Sequence, residues 1–117
     1  MPLRRSFRAS AARTALLLAA TLLSAAPPSA GAQAVEVRIR DYAFEPARIT
    51  IEAGTTVKWI NLEKRASHSV LFTGPGGVES ERMFPGESWQ RRFDAPGEYR
   101  YTCGPHPEMH GVVVVKP

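Results

Sequence analysis

Short segments in which apolar and polar residues alternate recur along this chain, and they constrain its fold more than any other feature. The apolar positions with this spacing are Val35, Val37, Ile39, Ile49, Ile51, Val57, Trp59, Tyr99, Tyr101 and Cys103. A period of two turns one face of a strand toward a core and the other toward solvent. The segments are divided by Gly and Pro residues, as in Pro46, Gly54, Pro85-Gly86 and Pro96-Gly97. Short strands with turns at regular spacing predict an all-β sandwich or barrel.

Three segments refine this prediction. The continuous apolar run from Val112 to Val115 suggests a strand that is central in its sheet or covered on both sides. Arg91 lies on the same predicted face as Trp89 and Phe93, where the pattern calls for an apolar residue, and the sequence offers no reason for it. No segment has a convincing helical period, although Glu79 to Met83 could form a single turn.

The first 32 residues have the composition of a secretory signal peptide. Four arginines precede an apolar stretch from Thr14 to Ala26, and small residues follow it. The A-x-A pattern places cleavage after Ala32 or Ala34. The apolar stretch is shorter than the roughly 20 residues of a transmembrane helix. We therefore expect residues 33–117 to form one exported, periplasmic domain without a membrane anchor. The Arg4-Arg5 pair leaves the twin-arginine and general secretory routes both open.

Removal of this segment changes the charge of the chain. The precursor has 15 basic and 11 acidic residues, a formal net charge of +4. The four basic residues of the segment are Arg4, Arg5, Arg8 and Arg13, so 11 of each sign remain and the mature charge is zero. The basic isoelectric point therefore belongs to the precursor, and we expect no nucleic-acid partner.

Cys103 is the only cysteine, so no disulfide can form within the chain. This argues against an immunoglobulin-type sandwich, in which two cysteines bridge the sheets. Cys103 is followed at intervals of three by His106 and Met109, and His68 is the only histidine upstream. A thiolate, two imidazoles and a weak thioether are the ligands of a mononuclear blue-copper site. We therefore predict a copper ion bound by His68, Cys103, His106 and Met109.

Other readings of these residues have less support. Zinc also accepts one Cys and two His, but structural zinc sites are usually richer in cysteine, with CxxC spacing. A binuclear copper centre needs two cysteines, and haem attachment needs CxxCH, which is missing. Nucleophilic catalysis by Cys103 would need a substrate pocket that a domain of this size does not suggest. His110 directly follows Met109, and we expect it to be exposed rather than a ligand. The protein is therefore not expected to be an enzyme.

The residues also resemble a known family. Phe44-Glu45-Pro46, Gly54, Val57-Lys58-Trp59-Ile60-Asn61, His68 and the C-x-x-H-x-x-M loop from Cys103 to Met109 are similar to the cupredoxins. The short ligand loop is most similar to the amicyanin and plastocyanin-like group. The resemblance implies a Greek-key β-sandwich of about eight strands, a type 1 copper site with Met109 as axial ligand, and a tyrosine corner at Tyr99.

The resemblance further implies a one-electron carrier of the periplasm. We expect it to be a monomer that serves redox partner proteins. His106 would be its electron port, inside an apolar patch of Pro105, Pro107 and either Phe72 or Phe84. Two other hypotheses stay open at this point, a copper-delivery protein and a sandwich with a vestigial site. The chain departs from the family at Ser69, where Asn is usual after the first histidine ligand, and this puts the link between the two ligand loops in doubt.

Overall fold

The computed structural model describes residues 2–3, 12, 15–21 and 34–117. Most of the predicted signal peptide lies outside these residues, and so does the cleavage site after Ala32, whereas the alternative site after Ala34 lies within them. Within the described residues the chain forms eight strands and no helix. No described helix is therefore long and apolar enough to cross a membrane.

The eight strands build two four-stranded sheets. They are β1 (Ala34–Arg40), β2 (Ala43–Glu45), β3 (Arg48–Ile51), β4 (Thr55–Asn61), β5 (Leu71–Phe72), β6 (Ser88–Phe93), β7 (Gly97–Thr102) and β8 (His110–Val115). The strand orders are β2-β1-β4-β6 and β3-β8-β7-β5. The pairs β1–β4 and β3–β8 are parallel and the others are antiparallel. The predicted β-sandwich of about eight strands is confirmed.

The alternation in the sequence becomes the division between core and surface. Every second residue of β4 is buried, including Val57, Trp59 and Asn61. The run Val112 to Val115 lies in β8, which is central in its sheet, as predicted. Aromatic rings from both sheets pack around Trp59, which is fully buried. Its ring centroid lies 5.4 Å from that of Tyr101 and 6.0 Å from that of Phe72. Burying each such side chain contributes roughly 1.5–3 kcal/mol.

Two details answer questions that the sequence left open. The Arg91 guanidinium stacks 4.4 Å from the ring centroid of Phe72 and 4.8 Å from that of Phe93, so a cation–π contact accounts for a charge on this face. The hydroxyl of Tyr99 donates a hydrogen bond of 2.7 Å to the carbonyl of Ala95, as in the predicted tyrosine corner. The single turn that Glu79 to Met83 could form is not present. Both of these residues form isolated β-bridges instead.

Candidate metal centre

The connection between β7 and β8 brings the predicted ligands to one end of the sandwich. Because Thr102 pairs with His110, the loop of residues 103–109 closes on itself. The backbone N–H of Cys103 donates to the carbonyl of Met109 at 3.2 Å. The N–H of Met109 donates to the carbonyl of His106 at 3.0 Å. Pro105 and Pro107 fix two further φ angles, so the loop has little freedom to change shape.

His68 reaches the same end from the segment before β5. It is bridged to Met83 by two backbone hydrogen bonds of 3.0 and 2.8 Å. The buried amide of Asn61 donates at 2.9 Å to the carbonyls of both Met83 and Ala66, and thereby ties this segment to the end of β4. The position of His68 is therefore set by Met83, which pairs with its backbone, and by Asn61, which is bonded both to Met83 and to Ala66 just before His68.

Three donor atoms converge at this end. The Cys103 Sγ lies 3.5 Å from the Nδ1 of His68 and 3.7 Å from the Nδ1 of His106, and the two Nδ1 atoms are 3.2 Å apart. These three residues form the metal-ligating cluster of the described chain. From the three distances, a point equidistant from all three atoms lies about 2.0 Å from each, which matches the metal–nitrogen bond length of protein sites and is about 0.3 Å shorter than the metal–sulfur length. The residues present therefore fit one copper ion of the type 1 class.

The protonation states follow from burial. His68 and Cys103 are fully buried, whereas His106 is half-buried. Burial lowers the pKa of His68, which keeps the imidazole neutral and its Nδ1 lone pair available. Burial raises the pKa of the Cys103 thiol, and the backbone N–H groups of Ser69 and His106 partly oppose this. Because the thiolate is the ligand, binding a cation must supply the energy that deprotonates Cys103.

Glu63 orients the buried histidine. Its Oε1 accepts a hydrogen bond of 3.2 Å from the Nε2 of His68 and one of 2.8 Å from the backbone N–H of Tyr42. A carboxylate acceptor on Nε2 fixes the tautomer that leaves Nδ1 unprotonated. The sequence analysis missed Glu63. Its only signal is a carboxylate five residues before a candidate ligand, which is too common to stand out.

Ser69 links the two ligand segments, despite its short side chain. The N–H of Gly104 donates to the Ser69 Oγ at 3.0 Å, and the Oγ donates to the Oε1 of Glu79 at 3.0 Å. The N–H of Ser69 donates to the Cys103 Sγ at 3.4 Å. A Cβ at position 104 would overlap Ser69 and Glu79, so glycine is what allows this close approach. The link between the two ligand loops, which the presence of Ser69 in place of the usual Asn put in doubt, is therefore present.

The remaining predicted residues lie as follows. Met109 is 2% exposed and is the last residue of the ligand loop, within the buried core cluster. His110 is exposed at the start of β8 and does not belong to the donor cluster. Phe84 is 56% exposed, but Phe72 is only 5% exposed because it packs in the aromatic core. The proposed docking role of Phe72 is therefore wrong.

Comparisons with known proteins agree with this site. Residues 13–115 match the family model described as a cupredoxin-like domain. The amicyanin-alpha of Methylorubrum extorquens is 38% identical over 107 residues, which cover 88% of this chain and 87% of the relative. The plastocyanin of Scenedesmus fuscus is 36% identical over 85 residues, which cover 62% of this chain and 86% of the relative.

Solved structures have the same fold. The copper(I) form of an amicyanin variant superposes with a TM-score of 0.68 at 33% identity, covering 71% of this chain and 82% of that chain. A copper-containing nitrite reductase from Thermus scotoductus gives a TM-score of 0.68 at 28% identity, covering 73% of this chain but 23% of that enzyme. The fold is thus also found as one part of a larger enzyme.

Proposed function

This chain belongs to the cupredoxin family, and from that premise we propose that it is a periplasmic electron carrier that passes single electrons between redox partner proteins. The observation that carries the proposal is the triangle of two Nδ1 atoms and one Sγ, with sides of 3.2–3.7 Å. Bound copper supplies a centre that accepts and releases one electron. The relatives named amicyanin and plastocyanin are electron carriers, which does not favour the copper-delivery hypothesis.

His68, Cys103 and His106 would hold the copper ion, with Met109 as the proposed fourth ligand. Support for Met109 comes from its burial and from the hydrogen bonds that join its backbone to Cys103 and His106. The ligand loop and Glu63 hold these side chains in place before a cation arrives. A framework that does not move between oxidation states keeps the reorganisation energy of electron transfer small.

The exposed apolar surface that includes Tyr42, which contacts His106, suits a short-lived redox encounter. Three exposed apolar residues, which we term the copper-end patch, lie on neighbouring segments: Tyr42, Leu62 and Phe84, which are 52%, 41% and 56% exposed. The turn after Phe84 is hydrogen-bonded to Asn61, directly before Leu62. Redox encounters use small interfaces that release quickly. The mature formal charge of zero predicts a modest salt dependence of the partner reaction.

The proposal includes export directed by a signal peptide at residues 1–32, which leaves residues 33–117 as the mature domain. We further propose that this mature domain is a monomer. The N-terminal composition supports it. N-terminal sequencing of the secreted protein would find Gln33 or Val35 first if cleavage follows Ala32 or Ala34. Sedimentation of the same sample measures its oligomeric state.

The visible spectrum of the copper-loaded, oxidised protein tests the function. We expect an intense blue thiolate-to-copper band that reductant bleaches and that the Cys103→Ser variant lacks. Bound copper without that band, or no bound copper, would contradict the proposal. Met109→Leu keeps the apolar volume and removes the thioether. A retained blue band with a changed reduction potential supports ligation by Met109, whereas an unchanged potential excludes it.

A further inference from the structure

The turn between β1 and β2 has an unusual backbone beside the metal centre. Its two residues, Asp41 and Tyr42, have φ angles of 53° and 54°. Because Arg40 pairs with Ala43, these two residues form the whole connection. Two successive positive φ angles are what a type I′ hairpin turn requires. Asp is common in such turns, but Tyr is not, since a bulky side chain is unfavourable in the left-handed region.

This backbone places the Tyr42 ring against both histidines of the donor cluster. Its centroid lies 4.9 Å from that of His106, with an angle of 87° between the ring planes. The distance to the His68 ring is 5.4 Å, at 82°. Both are the edge-to-face geometry that aromatic rings prefer. The two imidazoles come from separate segments, and Tyr42 contacts both.

The same residue is joined to His68 through a carboxylate. The N–H of Tyr42 and the Nε2 of His68 share the Oε1 of Glu63. This N–H points at Glu63 in the conformation that the turn imposes. The ring is 52% exposed and packs against His106, which is itself half-buried. Tyr42 therefore forms part of the outer wall of the metal centre.

We infer that Tyr42 is a positioning residue that fixes the His106 ring and shields the donor cluster from exogenous ligands. Unfavourable backbone conformations persist where the surrounding structure holds them, often at functional sites. Within the described residues, His106 has neither the full burial nor the carboxylate partner of His68, and its ring contacts are with His68 and Tyr42. The Tyr42 ring is therefore its aromatic contact from outside the donor cluster. The inference rests on the proposed ligand role of His106.

Glycine substitution isolates the contribution of the ring. Tyr42→Gly removes the side chain and suits the positive φ angle, so the hairpin and its N–H remain. Asp41→Gly is the matched control, since it makes the same backbone change at the neighbouring position and leaves the ring in place. Tyr42→Phe keeps both edge-to-face contacts and should behave as the wild type.

The first measurement uses the apoprotein and needs no copper. Side-chain NMR relaxation reports the order of the His106 ring. We expect a rigid ring in the wild type, Asp41→Gly and Tyr42→Phe. In Tyr42→Gly the order parameter should fall toward the range of flexible groups, about 0.6 or less, while the His68 ring stays rigid. Equal His106 order in Tyr42→Gly and Asp41→Gly would overturn the inference.

The second measurement uses copper(I) affinity, from competition with a chromophoric chelator. Loss of a group that orients a ligand typically weakens metal binding 10–100-fold. We expect about tenfold weaker binding by Tyr42→Gly and no change in the two other variants. Imidazole added to the oxidised protein should perturb the visible spectrum of Tyr42→Gly at lower concentration than that of the wild type. Equal affinity and equal imidazole response in all four proteins would refute the role.

These outcomes separate the inference from the proposed function. A wild-type protein that binds no copper would refute the proposed function, and the ring order of His106 in the apoprotein would still decide the role of Tyr42. A wild-type protein with a blue copper site whose Tyr42→Gly variant is unaltered would refute only the inference.

Discussion

Replacing Ser69 with alanine should destabilise the apoprotein, because one hydroxyl joins the segment of His68 to the loop of Cys103. The Ser69 Oγ accepts from the N–H of Gly104 and donates to the carboxylate of Glu79, both at 3.0 Å. Ser69 is 1% exposed, so water cannot simply take the place of the hydroxyl. The substitution leaves a half-buried N–H on Gly104 without its acceptor.

The size of the effect follows from these two hydrogen bonds. A neutral hydrogen bond contributes about 0.5–1.5 kcal/mol, and one to a charged group about 1.5–3 kcal/mol. Glu79 is exposed and can be hydrated again, so its bond falls at the lower end. We expect Ser69→Ala to lower the free energy of unfolding by about 2 kcal/mol. For a domain of this size that corresponds to a Tm lower by roughly 10 °C.

Urea unfolding and thermal melting of the apoprotein measure this effect. Ser67→Ala is the matched control, since its hydroxyl lies two residues away and accepts only an exposed bond of 3.3 Å from Arg82. We expect the control to change the unfolding free energy by less than about 0.5 kcal/mol. If Ser69→Ala lowers the free energy of unfolding no more than Ser67→Ala does, the hydrogen bonds of Ser69 do not stabilise the contact between the two ligand segments.

Three further predictions concern pH and packing. The pKa of His68 is lowered by burial, so the unfolded chain takes up a proton below about pH 6.5 that the folded apoprotein excludes. The free energy of unfolding should fall as the pH drops below that value, and urea titrations from pH 8 to 5 would detect it; a flat profile would contradict a buried neutral imidazole. Burial raises the pKa of Tyr101 to about 12, from 10.0. Relative to Tyr101→Phe, the wild type should therefore lose about 2–3 kcal/mol as the pH rises from 10 through 12, and equal alkaline profiles would refute this. Gly111→Ala places a Cβ against the Tyr101 ring and should cost about 1–3 kcal/mol in chemical denaturation, whereas an unchanged midpoint would show that the ring can move aside.

The strands and the donor set could be predicted from the sequence because their signals are local. Alternation needs only neighbouring residues, and it marked the core positions of β1, β3, β4 and β7. Cys103, His106 and Met109 lie within seven residues, and only one histidine precedes them. The sequence allowed one helical turn at Glu79 to Met83, but the β-bridges to Leu71 and His68, which decide its conformation, join it to residues 8 and 15 positions away.

The tertiary structure alone decided how the site is held together. Tyr42 and Glu63 are 21 residues apart, and they meet because Tyr42 follows β1, Glu63 follows β4, and these two strands pair in parallel. The left-handed turn at Asp41 and Tyr42 contains no glycine, so its positive φ angles could not be predicted from the sequence. The aromatic partners of Arg91 come from other strands. The sequence determined which atoms can bind the ion, because that depends on residue type, whereas the orientation and shielding of those atoms depend on contacts between distant segments that form only in the folded chain.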